Sequence, residues 1–526
     1  MHFTTRLLLS GMLALGIHTA MQAQVTKLTA VRNTYQPPVF TDIKRLEKIK
    51  AAKAVVDQLY QEHALQNRFP GMVYGVVADG QLLYTGTTGI TDIKTKTPVS
   101  TQTAFRIASM SKSFTAMAIV QLRDRGQLQL DDAVAKYIPE FKNITYPTSD
   151  APTITIRHLL NHVGGFPQDD PWADRQLADT DQELLDVVKR HPAFSNVPGL
   201  QYEYSNLGYT LLGKIVSSAS GISYQQYITE NIWKPLGMNN TYWEYTQVPA
   251  DKLAKGHRWI NGAWRDEPLL HDGAYGAMGG VITTLEDFSK YMSLHLNAWP
   301  ARSEREATLV LKRSSLREMH LPGVVGSLNA AYTYPSGRAC ATVAGYGFGL
   351  RWTKDCEGRV QVGHSGGLPG FGSNWTVLPD YGIGVVCFAN VTYAPTANLN
   401  IRVLDTLVTL AQLKPRQVVA SPLLKERKEQ LVKLLPNWNN AEKSDLFSEN
   451  FFLDFPIDSL RKQATALFAK AGKIVRVGEI VPENQLRGTF LLEGEHTNIE
   501  VYFTLMPDNP PLIQDYRIRE RLKVSR

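Results

Sequence analysis

Cysteine is scarce: three among 526 residues are too few for a disulfide scaffold. No Cys-x-x-Cys pair is present to seed a zinc site. His158 and His162 stand four apart on an expected helix, but no third ligand is near, so packing and a local hydrogen bond account for them. Basic runs are also lacking. Lysine and arginine are scattered, and a net charge of +7 over this length does not suggest nucleic-acid binding. After the first 23 residues no apolar run approaches the roughly 18 residues that a bilayer span needs. What remains is ordinary globular composition, 43% hydrophobic and 20% charged, in a chain long enough for two or three domains.

Residues 1–23 read as an export signal. Arg6 supplies the positive start, Leu7 to Ile17 the short apolar stretch, and Ala20-Met21-Gln22-Ala23 a small residue before a cut after Ala23, a position that fits better than Met21 three back. No cysteine lies near that cut, which argues against a lipid anchor there. The protein is therefore expected to be soluble and secreted or periplasmic. In an oxidising compartment Cys340 and Cys356 are the candidate pair, flanking the apolar run Tyr346 to Trp352; three free thiols is the alternative. Cys387 reads as a buried strand residue.

Thr26 to Phe40, with Pro37-Pro38, is an extended lead-in, and Asp42 to Asn67 has helical spacing. Met72 to Val77 and Gln81 to Thr85 flank Asp79-Gly80, a hairpin signal, as does Asn261-Gly262 between aromatic pairs. The spacing predicts one buried helix over Phe105 to Leu122 and a short one over Thr155 to His162. Gln168 to Asp179 is polar and acidic and reads as a surface loop; Ser303 to Arg338 reads as an irregular insertion. Apolar runs at Tyr346–Trp352, Arg359–Gly363, Ser373–Leu378 and Gly384–Asn390 predict an antiparallel sheet, followed by a helix over Thr396 to Leu413. Composition shifts after Lys414-Pro415. Two helices and four strand-like runs then read as a separate α+β domain over 415–526, similar in layout to cystatin-like or NTF2-like domains.

The predicted buried helix opens on Ser109-Met110-Ser111-Lys112. Residues three apart share a helix face. Unpaired N–H groups at a helix start stabilise an alkoxide or oxyanion, and a lysine among apolar neighbours has a lowered pKa and acts as a base. A second Ser-x-x-Lys, Ser459 to Lys462, sits among charges and reads as a solvated helix face. Tyr204 stands two before Asn206 at a loop-to-helix junction, from which its hydroxyl projects into a cleft; its phenolate is expected to be favoured near a lysine. His364-Ser365-Gly366-Gly367 follows an apolar strand, and its glycines let another chain lie against backbone N–H groups.

In that order and at those separations the three motifs resemble the serine β-lactamase and penicillin-binding protein superfamily, in its class C-like branch of D-Ala-D-Ala carboxypeptidases, D-aminopeptidases and esterases. Thr155 to Leu160, Pro235-Leu236-Gly237-Met238 and Gly279-Gly280-Val281 add to the likeness, which covers about Gly71 to Leu413. The resemblance implies a β-lactamase/transpeptidase-like α/β (α+β) fold over 24–414: an antiparallel sheet flanked by helices, plus a helical lobe holding Tyr204. It implies acyl transfer through a serine ester and no cofactor. Ser109 is then the nucleophile, with Lys112 and Tyr204 taking its proton. The N–H groups of Ser109 and Gly367 hold the oxyanion, Asn206 orients Lys112 and substrate, and His364 supports the Tyr204 hydroxyl or contacts substrate. Peptide, amide, ester and β-lactam substrates stay open, with peptidoglycan among the partners; an acylated sensor or cell-wall binding module is the alternative. Two departures stand out: His364 occupies the β-lactamase lysine position, and His162-Val163-Gly164-Gly165 replaces His-Thr-Ser-Gly. A mostly neutral imidazole holds a carboxylate less firmly than an ammonium.

Overall fold

A computed structural model describes residues 35–304 and 310–523; the leader read over residues 1–23 lies outside the described residues. The chain divides into two compact units. One holds residues 42–415; the other runs from 416 onward and includes residues 35–41. The end of the lead-in, expected to belong with the first unit, joins the second, where Val39 and Gln417 exchange backbone hydrogen bonds of 3.0 and 2.7 Å.

The larger unit is built on an eight-stranded sheet. Its strands are β1 (Gly71–Ala78), β2 (Gln81–Gly89), β3 (Val324–Asn329), β4 (Thr342–Tyr346), β5 (Arg351–Asp355), β6 (Val360–Leu368), β7 (Phe371–Leu378) and β8 (Ile383–Ala389). The spatial order is β2-β1-β8-β7-β6-β5-β4-β3, antiparallel throughout. Asp79 and Gly80 have φ of 48° and 74°, the positive pair that a tight hairpin turn demands. β1, β7 and β8 are buried on both faces, which is why they read as continuous apolar runs.

The helices that matter for the site are α1 (Lys53–Gln66), α2 (Lys112–Asp124), α3 (Ile156–Leu160), α4 (Asp170–Ala173), α5 (Asn206–Ser220), α6 (Leu285–Asn297) and α7 (Thr396–Leu410). α1 and α7 cover one sheet face through Val56, Tyr60, Leu399 and Val403. α2 and α6 cover the other through Phe114, Phe288 and Tyr291, and the lobe holding α3 and α5 shares that core.

Three expectations need correction. The helix predicted from Phe105 begins only at Lys112. Phe105–Arg106 pairs as a strand with Ile282–Thr283, and Ala108 takes φ +50°, a conformation that breaks a helix. The insertion over Ser303 to Arg338 contains a helix, Arg313–His320, and the edge strand β3. β3 is exposed along nearly its whole length, so no alternation of apolar residues announced it. The run Tyr346 to Trp352 is not one strand: it holds the end of β4, a turn with Gly349 at φ +70°, and the start of β5.

The smaller unit packs α8 (Pro422–Leu434) and α9 (Ile457–Ala471) with strands β9 (Ile474–Val477), β10 (Val481–Asn484), β11 (Arg487–Gly494), β12 (Asn498–Leu505) and β13 (Ile513–Arg521). The strand order is β9-β11-β12-β13, and β10 also pairs with β11. Ser459 and Lys462 lie exposed on α9, the solvated face expected of them. No helix of the described residues is long and apolar enough to cross a membrane.

Candidate active site

Ser109 sits in a 3-10 turn, Ala108–Ser111, that leads into α2. The turn is held from outside itself. The Ile107 N–H donates to the Val281 carbonyl at 2.9 Å, and the Ser111 hydroxyl accepts from the Val281 N–H at 3.1 Å. Ser111 in turn donates to the Ala108 carbonyl at 2.7 Å, which closes the turn around the strained Ala108. The Ser373 hydroxyl on β7 donates to the Ile107 carbonyl at 2.7 Å and ties the turn to the sheet.

Lys112 is fully buried. Its Nζ lies 3.0 Å from Ser109 Oγ, 2.6 Å from Asn206 Oδ1 and 2.9 Å from the Met278 carbonyl. Burial pulls its pKa down from 10.5 to about 7, against attraction from Asp170, Asp174 and Asp169. A lysine in this place is therefore neutral in a substantial fraction of molecules near neutral pH.

Tyr204 stands beside the nucleophile turn, its ring centre 4.9 Å from Lys112 Nζ. The expected phenolate is not favoured. Burial pushes the phenol well above its ordinary value, and the charge of Arg351 and the neighbouring Ser109 hydroxyl only partly offset it. His162 packs on the Tyr204 ring at 4.4 Å and accepts the Ser205 N–H at Nδ1, 3.0 Å away. This histidine thus fixes the junction that carries Tyr204. His158 instead caps its own helix, α3, with Thr155. Among the described residues no group of three or more His, Cys, Asp or Glu could hold a metal ion.

β6 brings the third motif against the turn. A Cβ added at Gly366 would stand 2.2 Å from the Ile107 carbonyl oxygen, so only glycine fits there. Gly367 follows, with the ring of Tyr393 against it. β5 pairs with β6 over Val360–Gly363, and the edge from His364 to Leu368 continues past that pairing beside the turn.

His364 itself is buried. It is 1% exposed, with Nε2 2.9 Å from the Tyr346 hydroxyl and Nδ1 against the Ser365 carbonyl. Burial, Arg351 and Lys112 keep it neutral. Both ring nitrogens are thus engaged, and the ring centre lies 6.1 Å from that of Tyr204.

Two parts of the site were missed. Arg351 on β5, opposite Gly363, is exposed and places its guanidinium 5.4 Å from the centre of the Tyr204 ring. A lone charge in the apolar run Tyr346 to Trp352 was the available signal. The acidic segment read as a surface loop is the second. Asp169 accepts the N–H groups of Asn206 and Leu207 at 2.7 and 2.9 Å, Asp170 accepts from the Asn206 amide, and Asp174 is buried under the Tyr393 hydroxyl at 2.8 Å.

Away from the cleft, Cys340 and Cys356 form a disulfide and Cys387 is free and buried. The disulfide joins the segment before β4 to the turn after β5, so it braces the strand that carries Arg351.

A family model described as Beta-lactamase matches residues 53–408. Beta-lactamase-like protein 2 of Dictyostelium discoideum is 33% identical over 260 residues, covering 48% of this chain and 47% of that protein. Protein flp of Staphylococcus aureus strain MW2 is 31% identical over 343 residues, 64% of this chain and 63% of that protein. The matches thus span from about half to just under two thirds of these relatives. Among solved structures, an octameric penicillin-binding protein homologue from Pyrococcus abyssi superposes with a TM-score of 0.57 at 21% identity, covering 88% of this chain and 99% of that one. A penicillin binding protein from Bacillus halodurans gives 0.51 at 22%, covering 66% and 98%. The shared fold is the β-lactamase/transpeptidase-like one.

Proposed function

Because the chain belongs to the Beta-lactamase family, we propose that it is a serine hydrolase of carboxypeptidase type, acting through an acyl-enzyme on short peptides or esters whose leaving group carries a carboxylate. The observation that carries the reading is the buried Lys112 Nζ, 3.0 Å from Ser109 Oγ and lowered to about pKa 7. The neutral amine takes the Ser109 proton as Oγ bonds to the substrate carbonyl carbon. The N–H groups of Ser109 and Gly367 hold the oxyanion. Collapse breaks the bond to the leaving nitrogen or oxygen, which takes a proton relayed from Lys112 through Tyr204. Tyr204 serves in its protonated form, as its burial requires. Water then cleaves the ester with the same groups reversed.

Arg351 supplies the permanent cation that His364 lacks, and it does so beside Tyr204, where a leaving group sits. That placement favours a free carboxylate over a neutral alcohol, and peptidoglycan-derived peptides ending in D-alanine fit it. Export to a secreted or periplasmic compartment is supported by the leader sequence and by the disulfide, which persists in oxidising surroundings.

The test is labelling of the purified chain with a fluorophosphonate and a fluorescent penicillin, then turnover of a D-Ala-D-Ala peptide, a D-amino-acid amide and a p-nitrophenyl ester. Labelling should vanish in Ser109→Ala, and the peptide should outpace the ester. Undiminished labelling of Ser109→Ala would refute the nucleophile; a preference for the neutral ester would refute the carboxypeptidase assignment.

A further inference from the structure

An amide beside a lysine offers it an acceptor or a donor, depending on which way the amide is turned. We propose that Asp170 is the positioning residue that fixes this choice at Asn206 and so keeps the lone pair of Lys112 aimed at Ser109. The inference rests on the acylation centre proposed above.

Asn206 Nδ2 donates to Asp170 Oδ1 at 2.9 Å, and Asn206 Oδ1 accepts from Lys112 Nζ at 2.6 Å. An ionised carboxylate only accepts, so the side of the amide that faces Asp170 must be Nδ2. The oxygen is thereby turned to Lys112. A neutral amine has two N–H groups and one lone pair. Asn206 Oδ1 and the Met278 carbonyl take the two N–H groups, and the direction left for the lone pair is Ser109 Oγ. After proton transfer the ammonium has three donors, and the same three neighbours accept them. The cage therefore serves both states without moving a heavy atom.

Turned over, the amide would present Nδ2 to the lone pair and compete with Ser109 for it. Its oxygen would also meet the Asp170 carboxylate, acceptor against acceptor. Asp170 is itself held, since its other oxygen accepts from Gln168 Nε2 at 2.8 Å. Asp169 clamps the backbone of Asn206 and Leu207 beside it.

The charges acting on Lys112 decide what removing Asp170 does. Asp170, Asp174 and Asp169 favour its ammonium, and Arg351 opposes it. His162 and His364 are buried and neutral, and the rings of Tyr204 and Tyr209 stand 4.9 and 5.7 Å from Nζ. Asp170→Asn thus has two separable effects. It removes one favourable charge, and it provides a donor that satisfies the turned-over amide.

The experiment is the rate of acylation by a neutral fluorophosphonate, on the full chain, from about pH 5 to 9. Asp170→Asn should lower the high-pH plateau by about tenfold or more and move the acid limb to lower pH. Asp170→Glu, which keeps the carboxylate, should return the limb toward the wild-type position. A plateau within about twofold of wild type, or a lowered plateau with an unmoved limb, overturns the inference; the second pattern is what a merely structural role produces. If Asp170→Asn does not fold, Asp170→Ala is read by the limb in the same way. Labelling that persists in Ser109→Ala sinks the acylation centre and this inference with it. Ser109-dependent labelling with an unmoved limb sinks this inference alone.

Discussion

Gly366→Ala isolates the mechanical part of the design, because it changes no charge and no hydrogen-bonding group. The added methyl would stand 2.2 Å from the Ile107 carbonyl oxygen, 2.4 Å from Ser373 Oγ and 3.0 Å from the Ala108 Cβ. Ordinary contact begins near 3.4 Å, so β6 and the turn must separate by 3.4 − 2.2, or 1.2 Å. Neither side yields readily. β6 is paired to β7 from Val362 to Leu368, and the Ile107 carbonyl is backbone that already accepts from Ser373. The N–H of Gly367, one residue along, moves with the strand, and Ser109, two residues along, moves with the turn. An ångström of misplacement between nucleophile and oxyanion donor costs on the order of 100-fold in rate. Overpacking costs about 1–3 kcal/mol of stability. Acylation rate and thermal unfolding of Gly366→Ala measure the two effects together. A fall in activity far larger than the fall in stability is the expected pattern. A variant that acylates within about threefold of wild type would show that the turn and β6 are not jointly required, and the oxyanion assignment to Gly367 would fail with it.

The pH dependence of wild-type acylation should rise through about pH 7 as Lys112 loses its proton, since the deprotonated amine is the proposed base. The same depression sets a stability window. Folded Lys112 binds fewer protons than the unfolded chain between about 7 and 10.5, so folding stability should gain from this group as pH rises across that range. A rate profile flat from about pH 5 to 9 would contradict the assignment of the base. Arg351→Gln should lower the ratio of kcat/KM for a carboxylated substrate to that for a neutral ester by about tenfold to a hundredfold, the worth of one charge-assisted hydrogen bond of roughly 1.5–3 kcal/mol. An unchanged ratio would place the carboxylate elsewhere.

The sequence made the chemistry easier to read than the geometry. Ser109 and Lys112 stood out because a lysine inside an apolar helix costs free energy and needs a reason. Tyr204, Asn206 and Gly367 were found through spacing and resemblance, and the family match agrees with that recognition. The start of α2 was not legible. Local spacing favours a helix from Phe105, whereas the positive φ of Ala108 is imposed by contacts with Val281 and Ser373, far off in the chain. The acidic segment misled for a similar reason. Three aspartates in a polar stretch look solvated unless their partners are known, and those partners are the first turn of α5 and Tyr393. Edge strand β3 carried no alternation because neither of its faces is covered.

His364 shows where a correct expectation had the wrong cause. Its neutrality was expected from the ordinary behaviour of imidazole, but the structure enforces it through burial, with two cations nearby. Those cations have opposite requirements. Lys112 must lose its proton near neutral pH, so it needs a dry environment. Arg351 must keep its charge, and although burial works against it, the hydroxyls of Tyr202, Tyr204 and Tyr346 and the carboxylate of Asp170 hold its pKa up. A permanent cation at position 364 would be buried within reach of both charges. It would depress Lys112 further and meet Arg351 with like charge. A buried neutral histidine is therefore the side chain that lets the proposed base and the proposed anion-binding cation coexist along β5 and β6.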